Sequence, residues 1–329
     1  MYTKPVPMKI KLVLCLGLCA TLSIISCKKS GNSPAKVNGP DIYLGGYTDS
    51  IDRYATYWKN GAKTVLNQPS PSSINSMVVN GSGIYLAIDD DGGAAYWNNG
   101  VLTPLETTYA DVEAIAVQGN TVYVAGSTSS SGPVYWKNGV PVVLGSSGQL
   151  MAFALSGNDI YAAGYTYSNT GPSIATYWKN GTAVALPAGP KSGHLLAIAV
   201  QGDNVYTSGI LDVYTDTATY QQAVYWKNNV MVSLPANGAS SANAFGIAVN
   251  GNDIYVAGDI NGYAACWKNG IDTLLSNQLS EAYAITIYNN DVYIGGEING
   301  VASYWKNGTP STLPLGGAKS STVNTIVVQ

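Results

Sequence analysis

Several residue types that often identify a function are scarce in this sequence. Among its 329 residues there are one histidine, four cysteines and two phenylalanines, and only 11% are charged. Cys15, Cys19 and Cys27 fall within the first 27 residues, so the rest of the chain has Cys266 alone and no disulfide framework. Its folded state must therefore be stabilised by a large apolar core, and 46% of the residues are hydrophobic.

Signatures of catalysis and of nucleic-acid binding are absent as well. The sequence has no G-x-S-x-G elbow, no H-E-x-x-H motif and no P-loop. A Ser-His-Asp triad would have to use His194, and nothing marks a serine partner for it. Without the lysines of the first eleven residues, 13 basic residues oppose 19 acidic ones, which argues against nucleic acid as a partner.

The N-terminal segment has the pattern of an export signal. Lys9 and Lys11 precede an uncharged, mainly apolar run over residues 12–26, which is typical of a secretory signal peptide. The run is shorter than the roughly 20 apolar residues that a membrane-spanning helix needs. We therefore expect export, with translation starting at Met1 or at Met8.

The end of this run carries a resemblance to a protein class. Residues 24–27, Ile-Ile-Ser-Cys, resemble the lipobox of bacterial lipoproteins, and the following Lys-Lys-Ser-Gly resembles the start of many Bacteroidetes-type lipoproteins. The resemblance implies a signal peptide over residues 1–26, then a lipid on the sulfur of Cys27 and a flexible linker over residues 27–36. It also implies a location in the cell envelope, at the outer membrane, facing either side. The alternative is a plain signal peptide with an incidental cysteine, or an uncleaved anchor.

The rest of the chain repeats one unit. Successive tryptophans lie 38 to 48 residues apart, and each is followed by a leucine eight residues later. The seven pairs are Trp58/Leu66, Trp97/Leu105, Trp136/Leu144, Trp178/Leu186, Trp226/Leu234, Trp267/Leu275 and Trp305/Leu313. Tyrosine precedes every tryptophan except Trp267, where Cys266 replaces it. Cys266 is therefore expected to be a buried apolar residue and not a nucleophile.

Turn signals divide each unit into strands. Asn-Gly lies between tryptophan and leucine in six units, and Asn228-Asn229 in the fifth, a pattern that favours a type I′ hairpin. A second fixed spacing comes before it, with an apolar residue six positions before a tyrosine, as in Val249 and Tyr255. Each unit is thus four short antiparallel strands. Seven units of about 41 residues predict an all-β fold, a seven-bladed β-propeller over residues 37–329.

The ends of the repeat region indicate how the ring closes. Residues 325–329 match the first strand of a unit, but no second strand follows them. The first unit begins with its second strand, and the residues before Val37 are too polar to form its first one. We therefore predict that the C-terminal strand completes the first blade and removes the open edge.

One segment resembles known repeats. Residues 157–166, Gly-Asn-Asp-Ile-Tyr-Ala-Ala-Gly-Tyr-Thr, are similar to the GNxYVxGxT repeats of bacterial β-propellers, and the likeness extends over residues 37–329. The repeat is only distantly Kelch-like, because Kelch repeats have a double glycine and a tyrosine well separated from the tryptophan. The resemblance implies the fold and brings no catalytic residues with it, since propellers have many functions.

Variation among the repeats indicates which face carries function. The turns after the first and third strands have constant length, whereas the other two connections vary and lie together on the opposite face. Loops that depart from a repeat usually carry the binding residues, and tyrosines and carboxylates gather in these loops. The candidate binding residues are Tyr47, Tyr54, Tyr165, Tyr167, Asp212, Tyr214, Asp216, Tyr220 and Tyr263. We expect the insertion over residues 211–222 to be the main contact loop; the alternative is a solvated loop whose tyrosines cover blade edges.

A second set of candidates lies at the mouth of the central channel. Asp111, Glu113, His194, Glu281 and Tyr283 stand four or six residues before the apolar anchor of a first strand. His194 is expected to approach Asp111, Glu113 and Glu281, an arrangement suited to metal binding or acid–base chemistry. Solvated residues of the rim are the alternative.

One acidic segment suggests calcium weakly. Asp89, Asp90 and Asp91 are followed by two glycines, but the ligand spacing and the distal glutamate of an EF-hand are missing. An acidic hairpin tip is the alternative. Apart from this weak calcium candidate, no cofactor is expected.

These patterns favour a binding protein. We expect a monomeric cell-envelope lipoprotein, attached to the membrane through Cys27, whose propeller is a non-catalytic scaffold for a glycan or protein partner. The alternative is a glycan-active enzyme that uses carboxylates at the channel mouth as acid and base. A purely structural spacer is a third hypothesis.

Overall fold

The chain forms seven four-stranded antiparallel sheets, as the repeats predict. The computed structural model describes residues 39–66, 71–90, 93–106, 109–168, 171–214, 219–236 and 238–329. Pro40–Gln329 forms one unit, and the predicted signal peptide, Cys27 and the linker lie outside the described residues. None of the described residues belongs to a helix that is long and apolar enough to cross a membrane.

Each sheet is one blade, and we number the blades in chain order. Blade 1 contains β1 (Ile42–Asp49), β2 (Arg53–Lys59), β3 (Ala62–Val65) and the last strand, β28 (Ser320–Val328). Blade 2 contains β4 (Ser72–Asn80), β5 (Gly83–Asp90), β6 (Gly93–Asn98) and β7 (Val101–Glu106); blade 3 contains β8 (Ala110–Gln118), β9 (Thr121–Thr128), β10 (Gly132–Lys137) and β11 (Val140–Val143). Blade 4 contains β12 (Gln149–Ser156), β13 (Asp159–Thr166), β14 (Ile174–Lys179) and β15 (Thr182–Ala185).

The remaining three blades follow the same order. Blade 5 contains β16 (Ser192–Gln201), β17 (Asn204–Tyr214), β18 (Thr219–Lys227) and β19 (Val230–Ser233). Blade 6 contains β20 (Ala242–Asn250), β21 (Asp253–Ile260), β22 (Tyr263–Lys268) and β23 (Ile271–Leu274); blade 7 contains β24 (Ser280–Tyr288), β25 (Asp291–Ile298), β26 (Val301–Lys306) and β27 (Thr309–Thr312). The innermost strands β28, β4, β8, β12, β16, β20 and β24 contact one another in a closed cycle, which defines a seven-bladed β-propeller.

The tryptophans of the repeat fill the spaces between blades. Six of the seven are at most 2% exposed. Trp267 of blade 6 lies in one apolar cluster with Tyr206 and Ala223 of blade 5, and the Nε1 of Trp226 donates a hydrogen bond of 2.9 Å to the carbonyl of Pro187 in the preceding blade. A buried ring of this size contributes roughly 4 to 6 kcal/mol of gross apolar transfer free energy. The Tyr-Trp pair is therefore part of the scaffold.

The Lys-Asn-Gly turns lie on the face opposite the variable loops and form a repeated polar cluster. Asn60 and Gly61 have φ values of 50° and 80°, as a type I′ turn requires. Asn60 accepts a hydrogen bond of 2.8 Å from the amide of Ile42 and donates one of 2.7 Å to Asp41. Lys59 pairs with Asp41 at 3.0 Å. Three other blades repeat the lysine–aspartate pair, in each case partly exposed, so it adds little stability.

The C-terminal strand closes the ring as predicted. β28 pairs with β1 along its length, and the backbone groups of Asp41 and Gln329 exchange hydrogen bonds of 2.8 and 3.0 Å. Val323, Ile326 and Val328 join a core cluster that also contains Trp58 of the same blade and Leu313 of blade 7. The two ends of the propeller therefore hold each other in one sheet.

Deleting residues 322–329 should destabilise the whole propeller. The deletion leaves one edge of β1 without a partner and removes three buried side chains from the core between blades 7 and 1. We expect the melting temperature to fall by several degrees or more, measured by circular dichroism on the full-length protein and the deletion variant. An unchanged melting curve would mean that β28 does not stabilise the ring.

Candidate functional site

Every innermost strand has a β-bulge at the same place, and the bulged residues surround the central channel. In each blade the pairing of the first and second strands skips one residue. The skipped residues, in blade order, are Asn324, Asn75, Glu113, Met151, Leu196, Phe245 and Tyr283, and together they line a cavity of about 300 Å³. We call these seven residues the channel ring. They are the residues that the repeat spacing places four positions before each first-strand anchor.

A glycine on the neighbouring strand allows this bulge in six of the seven blades. In blade 3, Gly126 pairs with Val112, the residue before the bulge. A Cβ at Gly126 would lie 1.9 Å from the carbonyl oxygen of Asp111, so a side chain would force the two strands apart. Ile88 stands at the corresponding position of blade 2. The recurrent glycine of the second strand is thus explained by the close approach of the two backbones.

The channel ring has a polar arc and an apolar arc. The polar arc consists of three residues that are consecutive around the ring, Asn324, Asn75 and Glu113. The apolar arc consists of the other four, Met151, Leu196, Phe245 and Tyr283. The amide of Asn324 donates to the carbonyl of Ile74 at 3.0 Å, and that of Asn75 donates to the carbonyl of Val112 at 2.8 Å. Each asparagine therefore links its blade to the next one.

Glu113 follows these two asparagines in the ring and differs from them electrostatically. Desolvation in the cavity, together with the negative charges of Asp89 and Asp111, raises the pKa of Glu113 to about 8. Burial and the charges of Asp111 and Asp90 raise the pKa of Asp89 to about 6, although Arg53 opposes this. Three carboxyl groups from β5 and β8 therefore make this sector of the mouth acidic.

His194 lies beside Asp212 and not beside the three carboxylates expected from the sequence. Its Nδ1 is 3.9 Å from Asp212 Oδ2, because the register of β16 and β17 pairs Ser192 with Asp212 and places both side chains near the same edge. The ring of His194 also packs on Tyr165, with centroids 4.2 Å apart. Burial lowers the pKa of His194, and the charge of Asp212 opposes this shift. Sequence spacing did not reveal this pair, which depends on cross-strand register.

Tyr165 connects His194 with its neighbours at the mouth. Its hydroxyl donates to Gln149 at 2.5 Å, and its ring meets Tyr167 edge-on at 5.5 Å. Burial, the hydrogen bond to Tyr167 and the charges of Tyr167 and Glu113 all raise the pKa of Tyr165. Tyr165 therefore lies inside the field of the acidic sector.

The other side of the mouth holds the remaining predicted pair, Glu281 and Tyr283. The hydroxyl of Tyr283 donates to Glu281, and its ring lies 5.3 Å from that of Phe245. Burial and the bond to Glu281 raise the pKa of Tyr283. Glu297 accepts a bond of 2.8 Å from Thr322. Both glutamates of blade 7 are therefore engaged, in contrast to Glu113, which has no hydrogen-bond or ion-pair partner in the described part of the chain.

A groove on the variable face lies between blades 3 and 4. It has a volume of about 400 Å³ and is lined by Tyr109, Tyr167, Asp111, Gln149 and several serine and threonine residues. Tyr109 is 79% exposed and Tyr167 is 52% exposed. Tyr109 has a φ of 49°, and every other non-glycine residue with positive φ in the described ranges is asparagine. A bulky residue in this conformation is strained, and such strain clusters at binding sites.

The insertion over residues 211–222 is mostly strand and not loop. β17 and β18 continue to Tyr214 and from Thr219, so the insertion lengthens a hairpin of blade 5. Asp212, Tyr214 and Tyr220 from this hairpin line an open groove of about 790 Å³. Asp216 lies outside the described residues.

The other predicted tyrosines belong to separate places on the rim. Tyr47 lies under the guanidinium of Arg53 at 4.2 Å, and Arg53 also pairs with Asp49 at 3.5 Å. Tyr54 and Tyr263 line two further grooves. The tyrosines are therefore distributed over several blade junctions and do not converge on one pocket.

The structure gives no metal site among the residues that it describes. No group of three or more histidine, cysteine, aspartate or glutamate side chains there is arranged to hold a metal ion. Asp89 and Asp90 end β5, and Asp91 lies outside the described ranges. Cys266 is largely buried, and this burial raises its pKa to about 12, so its thiol is unsuited to act as a nucleophile.

Comparison with known proteins leaves the architecture as the basis of classification. No protein-family model matches the chain, and no curated protein matches its sequence. The protein is defined as an all-β, seven-bladed β-propeller closed by its C-terminal strand. Its function must be inferred from the variable face and the channel ring.

Replacing Glu113 with asparagine should flatten the dependence of stability on pH. The pKa of Glu113 in the folded state, about 8, is above its ordinary value of 4.5. Its contribution to stability is therefore full below about pH 4.5 and is lost as the pH rises through 8. We expect the wild type to lose on the order of a few kcal/mol between pH 5 and 9 from this group, and Glu113→Asn to lose less.

The measurement is a series of melting curves for the full-length protein from pH 5 to 9. Asn75 and Asn324 occupy equivalent positions, so asparagine should be accommodated at position 113. Asp52→Asn, at an exposed position, controls for the loss of one negative charge. Parallel pH profiles in the wild type and Glu113→Asn would show that Glu113 has an ordinary pKa.

Proposed function

We propose that the protein is an exported lipoprotein of the cell envelope, anchored through Cys27, whose propeller binds a glycan without catalysing a reaction. The binding surface is the variable face, and the groove between blades 3 and 4 is its main site. The single observation that carries the proposal is the pair of exposed tyrosines, Tyr109 and Tyr167, over a floor of hydroxyl groups.

The chemistry of this groove suits a sugar. A tyrosine ring offers a flat apolar surface to the C–H face of a sugar, and its hydroxyl can donate and accept hydrogen bonds. Ser127, Thr128, Gln149 and Asp111 add further donors and acceptors along the floor. A volume of about 400 Å³ lies within the range of small-ligand sites.

The scaffold supports binding by holding these groups in place. Tyr167 packs edge-on against Tyr165, which is itself bonded to Gln149. Leu150 donates its amide to the hydroxyl of Ser127 at 3.0 Å, which ties blade 4 to blade 3 beneath the groove. Groups that are fixed before binding lose little conformational entropy when a ligand arrives.

A glycan-active enzyme is the second candidate, and the acidic sector of the mouth is the observation that favours it. Glu113 has a pKa of about 8 because it is buried beside Asp89 and Asp111, so it would be protonated at neutral pH, as a general acid must be. A carboxylate beside it would serve as base or nucleophile. In that case Glu113→Gln would abolish hydrolysis of the bound glycan.

The glycan proposal predicts a loss of binding when either exposed tyrosine is removed. Tyr109→Ala and Tyr167→Ala should each weaken binding to a glycan array at least roughly fivefold, or about 1 kcal/mol, because a stacking ring is lost. Val140→Ala, which removes an exposed side chain from a tight-turn hairpin on the opposite face, is the control and should bind as the wild type does.

The same array separates the alternatives. Binding that the tyrosine variants leave unchanged would place the site elsewhere and contradict the groove as the main site. An empty array together with specific capture of one envelope protein would replace the glycan with a protein partner. Release of shortened glycans by the wild type, and not by Glu113→Gln, would favour the enzyme.

The anchor proposal predicts that Cys27→Ser moves the protein from the membrane fraction to the soluble fraction. Without the thiol no lipid can be attached, and an apolar run of 15 residues before it is too short for a stable membrane-spanning helix. Cys19→Ser, within the predicted signal peptide, is the matched control and should stay in the membrane fraction. Retention of Cys27→Ser in that fraction would contradict lipidation.

A further inference from the structure

We propose that the channel ring binds a small organic ammonium ion, with its charged nitrogen at Glu113 and its apolar body against Met151, Leu196 and Phe245. The proposal rests on the proposed function in that the variable face is the binding face. It adds a second site with a different ligand, separate from the tyrosine groove.

The first argument is a break in a repeated hydrogen-bond pattern. Asn324 and Asn75 each donate from a side-chain amide to the backbone carbonyl of the residue before the bulge in the next blade. Glu113 is the third member of the series, and the corresponding carbonyl in the next blade is that of Leu150. Glu113 makes no such hydrogen bond in the described part of the chain, and its ionised form has no proton with which to make one.

The second argument is the isolation of the Glu113 carboxyl group. It lines the cavity, where it is largely desolvated, and no described residue gives it a hydrogen bond or an ion pair. Ionising a carboxyl group without a partner in such a place is costly, so Glu113 stays protonated until a partner stabilises its charge. A cationic nitrogen in the cavity would supply both the opposite charge and the missing donors.

The third argument is the charge of the groups around it. Asp89 on β5, Asp111 on β8 and Tyr165 on β13 are the titratable groups that act on Glu113 or respond to its charge. No basic group of the described residues is among those that shift the pKa of Glu113. Arg53 is engaged with Asp49 and Tyr47, and His194 lies beside Asp212. The resulting field attracts cations and repels anions.

The fourth argument is the apolar arc, which favours an organic cation over a metal ion. Met151, Leu196 and Phe245 follow one another around the ring, and Tyr283 packs on Phe245 at 5.3 Å. These side chains offer apolar and aromatic surface but no carboxylate, imidazole or thiolate, and no described group of three or more such side chains is arranged to hold a metal ion. A volume of about 300 Å³ is at the lower end of small-molecule sites, so the ligand must be compact.

Binding should release a proton, because an ammonium ion prefers the ionised form of Glu113. With a pKa of about 8, Glu113 is mostly protonated at pH 7. The affinity for an ammonium ion should therefore rise at least roughly tenfold between pH 6.5 and 8.5. In calorimetry at pH 7, the measured heat should change with the ionisation enthalpy of the buffer.

The test is a titration of the full-length protein, purified in detergent, with four probes. They are 2-phenylethylammonium, its neutral counterpart 2-phenylethanol, the anion phenylacetate, and methylammonium, which has the charge but almost no apolar body. We expect 2-phenylethylammonium to bind tightest by at least roughly tenfold, with the dependence on pH given above.

Variants separate the charge from the apolar arc. Glu113→Gln should fold, lower the affinity for 2-phenylethylammonium at least roughly tenfold and remove the dependence of that affinity on pH. Phe245→Ala should also lower the affinity, but its dependence on pH should remain. Asp52→Asn is the control for the loss of an exposed negative charge outside the channel ring, and it should bind as the wild type does. Melting curves of each variant show that it is folded.

Three results would overturn the proposal. They are equal binding of 2-phenylethanol and 2-phenylethylammonium, unchanged binding in Glu113→Gln, and no binding of any of the four probes. In each case glycan binding that depends on Tyr109 and Tyr167 would leave the proposed function intact. Loss of glycan binding alone, with ammonium binding retained, would contradict the groove and leave the channel ring as the binding site.

Discussion

The structure depends on one packing constraint: a blade has two apolar faces and can bury them only against its neighbours. Trp267 shows how this works, because it belongs to blade 6 and packs among the side chains of blade 5. No blade is complete alone, so the cores between blades are stable only when the ring is closed. The pairing of β28 with β1 satisfies this requirement by placing both ends of the propeller in one sheet.

Ring closure also explains why the candidate sites lie where they do. Regular turns and tryptophans fix the backbone of each blade, and the same β-bulge then presents one side chain per blade to the channel. Neither the bulge nor the glycine opposite it depends on which side chain is presented. The seven positions of the channel ring therefore hold polar, acidic and apolar residues on the same backbone geometry.

Most of the fold could be predicted from the sequence, because it repeats. The spacing of eight residues from tryptophan to leucine recurs in all seven units, as in Trp58 and Leu66, and it predicted the strand order. The unmatched segment at residues 325–329 predicted how the ring of blades closes. The positions of Glu113 and Tyr283 at the channel mouth followed from their distance of four residues before the apolar anchor of a first strand. These are one-dimensional regularities that the folded chain preserves.

The contacts within the sites could not be predicted in the same way. The pairing of His194 with Asp212 depends on the register of β16 and β17, which extends beyond the repeat because the insertion of blade 5 continues both strands of a hairpin. The links from Asn324 and Asn75 to the next blade depend on the bulge, and the sequence indicates the bulge only through the recurrent glycine of the second strand. Distances across the channel depend on the radius of the ring and on the twist of the blades. The spacing of residues along the chain determines neither of these.

The channel ring has a further consequence for how this fold can change its ligand. Its seven positions are equivalent in backbone geometry but are occupied by different residues. Each blade therefore contributes one independently variable side chain to the channel. A substitution at one position changes one side chain of the channel, and the position of the acidic side chain around the axis would set the orientation of a cation bound there. Specificity in such a ring is combinatorial. A different ligand can be recognised by exchanging side chains, while the scaffold fixes their number and spacing.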